Sequence, residues 1–291
     1  MTIERGRIAG APISWGVCEV DGWGFQLPVE RVLREMHRLG LTATEFGPEG
    51  WLPQEPVARA QALREHGLTA VGGFLPVVLH DPGHDPAPEL DAFADACVAA
   101  GATVVVLAAA TGVTGYDVRP ELTDEQWGTL CSNLDALHDR ARARGLSLAL
   151  HPHVGTMVEG ADDVETVMAR SRVALCLDTG HLMAAGVDPV PLAKAHAERV
   201  VHVHLKDVDA GLAAAVHHGS TSFSEAVSAG LFRPLGRGDV DVAGLVTTLE
   251  DRGYDGWYVL EQDVMLDGEP TGDGPVEDVR TSLAHLEGLA S

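Results

Sequence analysis

Five times along this chain a helical stretch stops at a glycine and a strand-like apolar run starts on the next residue. The junctions are Leu39-Gly40-Leu41, His66-Gly67-Leu68, Ala100-Gly101-Ala102, Arg144-Gly145-Leu146 and Arg252-Gly253-Tyr254. Glycine enters the left-handed backbone region that closes a helix without the steric cost of a Cβ. A junction repeated in this way implies helices and strands in serial alternation, which excludes a sandwich or a bundle.

The segments between the junctions carry the matching periods. Val29, Val32, Leu33, Met36 and Leu39 share one helical face, as do Leu130, Leu134 and Leu137 in a segment that Thr123 is placed to cap. A last helix is expected from Pro275 to Leu289, with Val276, Val279, Leu283, Leu286 and Leu289 on one side. The runs Thr103–Leu107, Val173–Leu177, Val200–Leu205 and Trp257–Leu260 are short, apolar and rich in β-branched residues, as parallel strands covered on both faces require. Strands are expected near Ile8, Thr42, Ala70, Thr103, Leu146, Val173, Val200 and Trp257. Eight such units in 291 residues compare with ~250 for a (β/α)8 barrel. They predict an α/β fold, a single-domain (β/α)8 TIM barrel over residues 1–291. No GxGxxG follows the first strand, which speaks against a Rossmann sheet.

Hydrophobic residues make up 45% of the chain, enough for a large core. With 43 acidic against 20 basic residues the formal charge is −23. Such a surface repels phosphate backbones and anionic bilayers, so neither nucleic acid nor membrane is expected as a partner. Cys18, Cys97, Cys131 and Cys176 show no CxxC or CxxH spacing and read as reduced thiols. Met1–Gly10 has no long apolar run, and no stretch approaches the ~20 apolar residues of a membrane span. A cytoplasmic location is the default expectation.

Barrel enzymes carry their chemistry at the C-terminal ends of the strands. Here the last four expected strands end in His151-Pro152-His153, Asp178-Thr179-Gly180-His181, His202-Val203-His204-Leu205-Lys206-Asp207 and Glu261-Gln262-Asp263. Any one of these has an ordinary reading: a lone histidine is more often structural, Asp178 suits a helix cap, and Lys206-Asp207 suits a solvated ion pair. Four consecutive strand ends with imidazoles and carboxylates instead match the ligands of a divalent cation. Residues two apart on a strand share a face, so His151 pairs with His153 and His202 with His204. Within each pair one can bind metal while the other meets substrate or supports the ligand from behind. The first half of the barrel offers Trp15, Glu45 and His80-Asp81. Trp15 is placed either to stack on a sugar or cyclitol ring or to pack in the wall.

Together His151-Pro152-His153-Val154-Gly155-Thr156, Leu177-Asp178-Thr179-Gly180-His181, His202-Val203-His204-Leu205-Lys206-Asp207 and Glu261-Gln262-Asp263 resemble the inosose dehydratases of the xylose isomerase-like TIM-barrel superfamily. Leu235-Gly236-Arg237-Gly238-Asp239-Val240-Asp241 resembles the glycine-rich loop before that family's last helix. The resemblance implies a metal held by residues of strands five to eight, which transfers to Asp178, His204 and Glu261. His151 stands where the superfamily has a proton-moving Glu. Glu159 is the other candidate to complete the set. Mn²⁺ or Co²⁺ is expected, with Mg²⁺ and Zn²⁺ admissible.

The implied reaction is dehydration of 2-keto-myo-inositol or a similar keto-polyol through an enediolate, with no nicotinamide and no phosphate requirement. His153, His181, Lys206 and Glu261 are the expected catalytic groups. Trp15, Glu45, His80, Glu159, His202 and Arg237 are the expected substrate contacts. Neutralising Asp178 or Glu261 is expected to remove activity with the fold intact. A keto-sugar isomerase or epimerase is the main alternative. An apurinic endonuclease is disfavoured by the charge, and a non-catalytic sugar-binding barrel is the third reading. The segment Ala210–Pro234 is long for a βα connection. With Leu231 and Phe232 beside His217 and His218, it is expected to form a lid or the interface of a homo-oligomer.

Overall fold

The computed structural model describes residues 3–289. Residues 1, 2, 290 and 291, the ends of the expected domain, lie outside that range. Parallel strands form a ring: β1 (Ile8–Gly10), β2 (Ala43–Glu45), β3 in two pieces (Thr69–Gly72 and Phe74–Val78), β4 (Val104–Ala110), β5 (Ser147–Leu150), β6 (Ala174–Asp178), β7 (Val200–Leu205) and β8 (Tyr258–Leu260). β8 returns to β1 through the pairs Ile8↔Tyr258 and Gly10↔Leu260, which closes the barrel. Helices α1 (Val29–Arg38), α2 (Pro56–Glu65), α3 (Ala87–Ala100), α4 (Asp124–Ala143) and α5 (Ala161–Arg170) follow the first five strands in turn. After β6 come α6 (Thr179–Ala184) and α7 (Pro189–His196).

The junction glycines behave as their chemistry requires: φ is 80° at Gly40, 71° at Gly67, 74° at Gly101, 77° at Gly145 and 78° at Gly253. Thr123 caps α4 in a reciprocal box with Gln126. Strand alternation sorts the two cores. Ala9, Ala43, Val71, Ala149, Cys176 and Val259 fill the inside of the ring with small side chains. Ile8, Leu107, Leu150, Leu177, Leu205 and Leu260 join the helices in the outer core. Each fully buried Leu or Ile there stabilises by about 1.5–3 kcal/mol. All four cysteines are free. No helix among the described residues is long and apolar enough to cross a membrane.

The third strand departs from the regular pattern. Its first piece pairs with β2, ending in Glu45↔Gly72, and its second piece pairs only with β4, from Phe74↔Val106 to Val78↔Ala110. The break at Gly72-Gly73 turns the second piece away from β2. A Cβ on Gly72 would lie 2.4 Å from the Val104 carbonyl oxygen. Gly72→Ala is therefore expected to destabilise by about 2–3 kcal/mol through a backbone that cannot relax, read as a shift of the urea midpoint at constant slope. A wild-type midpoint would show that the break does not depend on glycine.

The segment after β7 is neither a loop nor an exposed patch. A two-residue ribbon, Asp207–Val208 against Phe232–Arg233, brackets α8 (Ala210–His217) and α9 (Phe223–Ser228). Leu231 and Phe232 are buried in one cluster with Phe223, Val227 and Trp23, so their apolar surface is used within the chain. The long connection is explained by its own small core. Two further helices, α10 (Val242–Glu250) and α11 (Pro275–Gly288), complete the outer layer.

Candidate active site

Inward parity carries past the small residues in the ring to its C-terminal rim. There Glu45, Asp178 and His204 on the strands, with His151 and Glu261 just beyond them, meet inside the barrel. Cross-strand register sets Asp178 directly opposite His204. His151, Asp178, His204 and Glu261 can each offer one ligand atom with all four within 4.8 Å of one another. A second such group is Glu45, His202 and His204.

The hydrogen-bond directions decide what the first group lacks. Nε2–H of His202 and of His204 both donate to Glu45 Oε1, at 2.8 and 3.0 Å. Neutral His204 therefore turns a lone pair at Nδ1 towards Asp178 Oδ2, 3.5 Å away, and towards Glu261 Oε2. Lone pairs facing carboxylate oxygens repel unless a proton or a cation lies among them. Neither His204 Nδ1 nor Glu261 Oε2 makes an aligned hydrogen bond, and both atoms are buried. Burial opposes charging His204, but Cys176, Glu261 and Glu45 outweigh it and push the imidazole well above its ordinary value. A divalent cation fits the same place with the proton displaced, and the His/Asp/Glu donor set is suited to one.

Asp178 acts in two directions. Its Oδ1 accepts from the N–H groups of Gly180 and His181, both at 2.8 Å, and so caps α6. Its Oδ2 takes Lys206 Nζ at 2.8 Å and His151 Nε2 at 3.1 Å. Lys206 is fully buried and also meets Glu261 at 2.8 Å and Asp263 at 3.3 Å. Burial would raise the Asp178 and Glu261 carboxyls. Lys206 and His181 instead hold Asp178 well below the usual range, and His204 and Lys206 hold Glu261 at about 2. For Asp263 burial wins: despite Lys206, the carboxyl is pushed up to about 7, with Glu261 and Asp178 adding to the rise.

The neutral imidazoles lie beside this charged centre. His153 and His181 stack with ring centroids 3.6 Å apart. His153 donates Nδ1–H to the Val154 carbonyl at 2.7 Å, which leaves Nε2 as its free nitrogen. Burial first, then the nearby His151 and Lys206, push His153 down to about 3. His181 is driven well below its ordinary value by burial and by His153. A histidine with its folded value depressed favours the native state only while it is neutral. Its contribution is present above the unfolded value near 6.5 and is lost as pH falls, because the unfolded chain binds the proton. Chelator-treated His153→Phe, a substitution suited to the rings of Phe74, Tyr116 and Phe223 around it, should thus lose about 2 kcal/mol of the stability difference between pH 6.5 and pH 5. Urea midpoints at the two pH values measure it, and an unchanged difference would exclude a neutral His153.

These groups line a cavity of about 470 Å³ whose floor is His151, His153, His181, Lys206, Glu261 and Asp263. Several expected substrate contacts lie elsewhere. Trp15 is fully buried in the wall, donating Nε1–H to Glu35 at 2.9 Å. The aromatic that lines the cavity is Trp23. His80 is buried away from the cavity lining. Glu159 accepts from Gly155 N–H and pairs with Arg119, so it is spent on its own loop. Arg237 is exposed. The glycine-rich loop contributes backbone instead, since Gly236, Gly238 and Val240 donate to Asp207 at 2.8–3.0 Å. Asp207 is thus a buried latch rather than half of a solvated pair with Lys206. His202 stands behind Glu45, off the cavity surface, whereas Glu45 lines it. Asp263, Glu19, Tyr116 and Phe223 line the cavity without having been expected as site residues. Asp263 shares parity with Glu261, and that was its available signal.

The family model described as xylose isomerase-like TIM barrel matches residues 23–289. The chain is 35% identical over 269 residues to the rhizopine catabolism protein MocC of Rhizobium meliloti, covering 88% of this chain and 81% of that protein. It is 31% identical to an inosose dehydratase of Lacticaseibacillus casei, covering 99% and 97%. Among solved structures, the zinc-bound IOLI protein superposes with a TM-score of 0.69 at 17% identity, over 98% of both chains.

Proposed function

The chain belongs to the xylose isomerase-like TIM-barrel family, and on that premise we propose that it is a metal-dependent hydro-lyase removing water from an inosose or similar cyclic keto-polyol. The observation that carries this reading is the composition of the cavity floor. His151 and Glu261 on it belong to one convergent His/Asp/His/Glu set with Asp178 and His204, beside two stacked neutral imidazoles, in a chain that is 31% identical over nearly its full length to an inosose dehydratase. The cation would be held by His151, Asp178, His204 and Glu261. When bound there it would polarise the substrate carbonyl and acidify the adjacent C–H.

The remaining steps fall to the protein's own groups. Nε2 of His153, unprotonated at neutral pH, takes the proton from the carbon next to the carbonyl. Lys206 lies on the same floor, where its charge balances the enediolate that develops. Asp263, poised near neutrality beside His181, protonates the β-hydroxyl, which leaves as water while the carbon–carbon double bond forms. Glu45 and His202 keep Nε2 of His204 protonated and its ring fixed. Epimerisation at one carbon needs a base on each face. With His151 at the strand-five position, the floor lacks the proton-moving Glu that the resemblance places there.

The test is to incubate Mn²⁺-loaded protein in D₂O with an inosose and with a ketohexose, following the dione chromophore and deuterium incorporation. Water loss from the inosose is expected. Exchange and epimerisation of the hexose with no water loss from the inosose would replace this reading by the epimerase one.

A further inference from the structure

Cys176 takes no part in the chemistry above, yet its side chain points into the ring among Val104, Val106 and Ala149 and is fully buried. Asp178 lies two residues further along β6, so the thiol sits one step of the pleat, about 6–7 Å, deeper than the carboxylate. Its register partner on β7 is His202, and its hydrogen-bond neighbour is His204. It lies behind the cavity lining rather than on it.

Among the described residues three groups of side chains converge closely enough to hold an ion, and His204 belongs to all of them. The group of Glu45, His202 and His204 is already satisfied, since both Nε2–H groups donate to Glu45. The group of His151, Asp178, His204 and Glu261 is the one assigned above. The remaining group is His151, Cys176 and His204, whose ligand atoms also lie within 4.8 Å of one another. Both of its imidazoles keep a buried Nδ1 with no hydrogen-bond partner.

The last two groups share both imidazoles and differ in what completes them. Carboxylate oxygens suit hard ions such as Mn²⁺ and Mg²⁺, and thiolate sulfur suits soft ones. Cysteine and histidine together are common ligands of Zn²⁺, at about 2.3 Å from sulfur and about 2.0–2.1 Å from nitrogen. Donors at those lengths around a tetrahedron stand roughly 3.3–3.6 Å apart, which small side-chain rotations reach from the present spacing. Coordination releases the thiol proton to solvent. The fourth place of the tetrahedron is open to water.

We propose that the rim holds a second cation position, made by His151, Cys176 and His204, which takes a thiophilic divalent ion such as Zn²⁺. Occupation of this position excludes Mn²⁺ from the carboxylate position above it, because both need the same two imidazoles. The softness of the ion then decides whether it stands among the carboxylates at the cavity floor or behind them. The inference rests on the functional reading above only for the carboxylate position.

The test uses the full chain freed of metal. Cd²⁺ is the thiophilic probe, followed by the near-ultraviolet sulfur-to-cadmium charge-transfer absorption. Mn²⁺ is the hard probe, its free fraction read by electron paramagnetic resonance. One equivalent of Cd²⁺ should develop the absorption and expel bound Mn²⁺. In Cys176→Ala the absorption should vanish, and the preference for Cd²⁺ over Mn²⁺ should fall about tenfold or more, the least that losing even an outer-sphere partner of a metal costs. Mn²⁺ affinity should stay within about threefold of wild type, since the carboxylate position is intact. Cys176→Ser keeps the side-chain volume, guards against an alanine variant that fails to fold, and should lose the absorption too. An absorption absent from the wild type, or one that survives both substitutions because Cys18, Cys97 or Cys131 supplies the sulfur, overturns the proposal. So does Cd²⁺ binding that leaves Mn²⁺ in place, or Mn²⁺ affinity that falls in step with that of Cd²⁺. A chain that binds Mn²⁺ and gives no absorption refutes the thiol position alone. A Cys176-dependent absorption in a chain that binds no Mn²⁺ refutes the metal-dependent reading of the floor alone.

Discussion

Glu261→Gln is expected to lower kcat/KM for the substrate by about 10³-fold or more while leaving thermal unfolding almost unchanged. The loss corresponds to about 4 kcal/mol of transition-state stabilisation. The glutamate is held ionised at about 2, so Gln does not reproduce any form populated near neutral pH. The fold tolerates the change because Lys206 keeps Asp178 and Asp263 as partners. His204 Nδ1 and Lys206 both meet Oε2 of the glutamate, so the amide keeps one of the two contacts, its oxygen accepting from Lys206 or its NH₂ donating to His204 once that imidazole is neutral. Metal content by elemental analysis should fall with activity. Wild-type turnover in a well-folded variant would remove Glu261 from the site. Asp178→Asn is a less clean test than the sequence implies. One oxygen caps α6 and the other meets Lys206, so the amide must surrender one of the two roles, and stability falls along with activity.

Lys206→Met is expected to be the most destabilising substitution at the rim, by about 3–5 kcal/mol in metal-free protein. Methionine matches the shape of the lysine stem but leaves Asp178, Glu261 and Asp263 buried without the ammonium that meets all three. Removing one partner of a buried ion pair strands the other charge in a poorly solvating medium, which costs more than the pair itself contributed. Lys206 is held well above its ordinary value by those carboxylates despite its burial, so the charge lost is a full one across the accessible pH range. Saturating Mn²⁺ should raise the urea midpoint more in this variant than in the wild type, since a bound cation restores positive charge among the carboxylates. A variant within about 1 kcal/mol of wild type, or one indifferent to Mn²⁺, would show that the cluster is not electrostatically organised around a cation.

Much of this architecture is written locally. The junction glycines needed only their own backbone angle, and Thr123 needed only a partner three residues on. The inward direction of Cys176, Asp178, His202 and His204 followed from the two-residue period of a strand. What local reading misses is set by neighbours distant in sequence. Trp15 sits at a strand end like a ligand-stacking ring, yet its partner is Glu35 on α1. Arg237 lies in a loop that resembles a functional one, but Asp207 holds that loop through its backbone, and the arginine points to solvent. Asp263 gained its proton affinity from burial among other carboxylates, which no spacing encodes. The interruption of β3 depends on Val104 pressing against Gly72 from the next strand, and Thr69–Val78 reads along the chain as one apolar run.

That interruption bears on how such a barrel can diverge. The floor groups sit on or just past strands hydrogen-bonded on both edges, where a change in one is felt around the ring. The cavity wall farthest from them is lined from α2, α3 and a half-strand bonded along one edge only. Substitutions there are expected to change the shape of the cavity with little effect on the floor groups. Selection can therefore reshape the wall in the 40s to 90s of the sequence while the rim residues from His151 onward stay fixed, and a library confined to that wall should yield new preferences at constant reaction type.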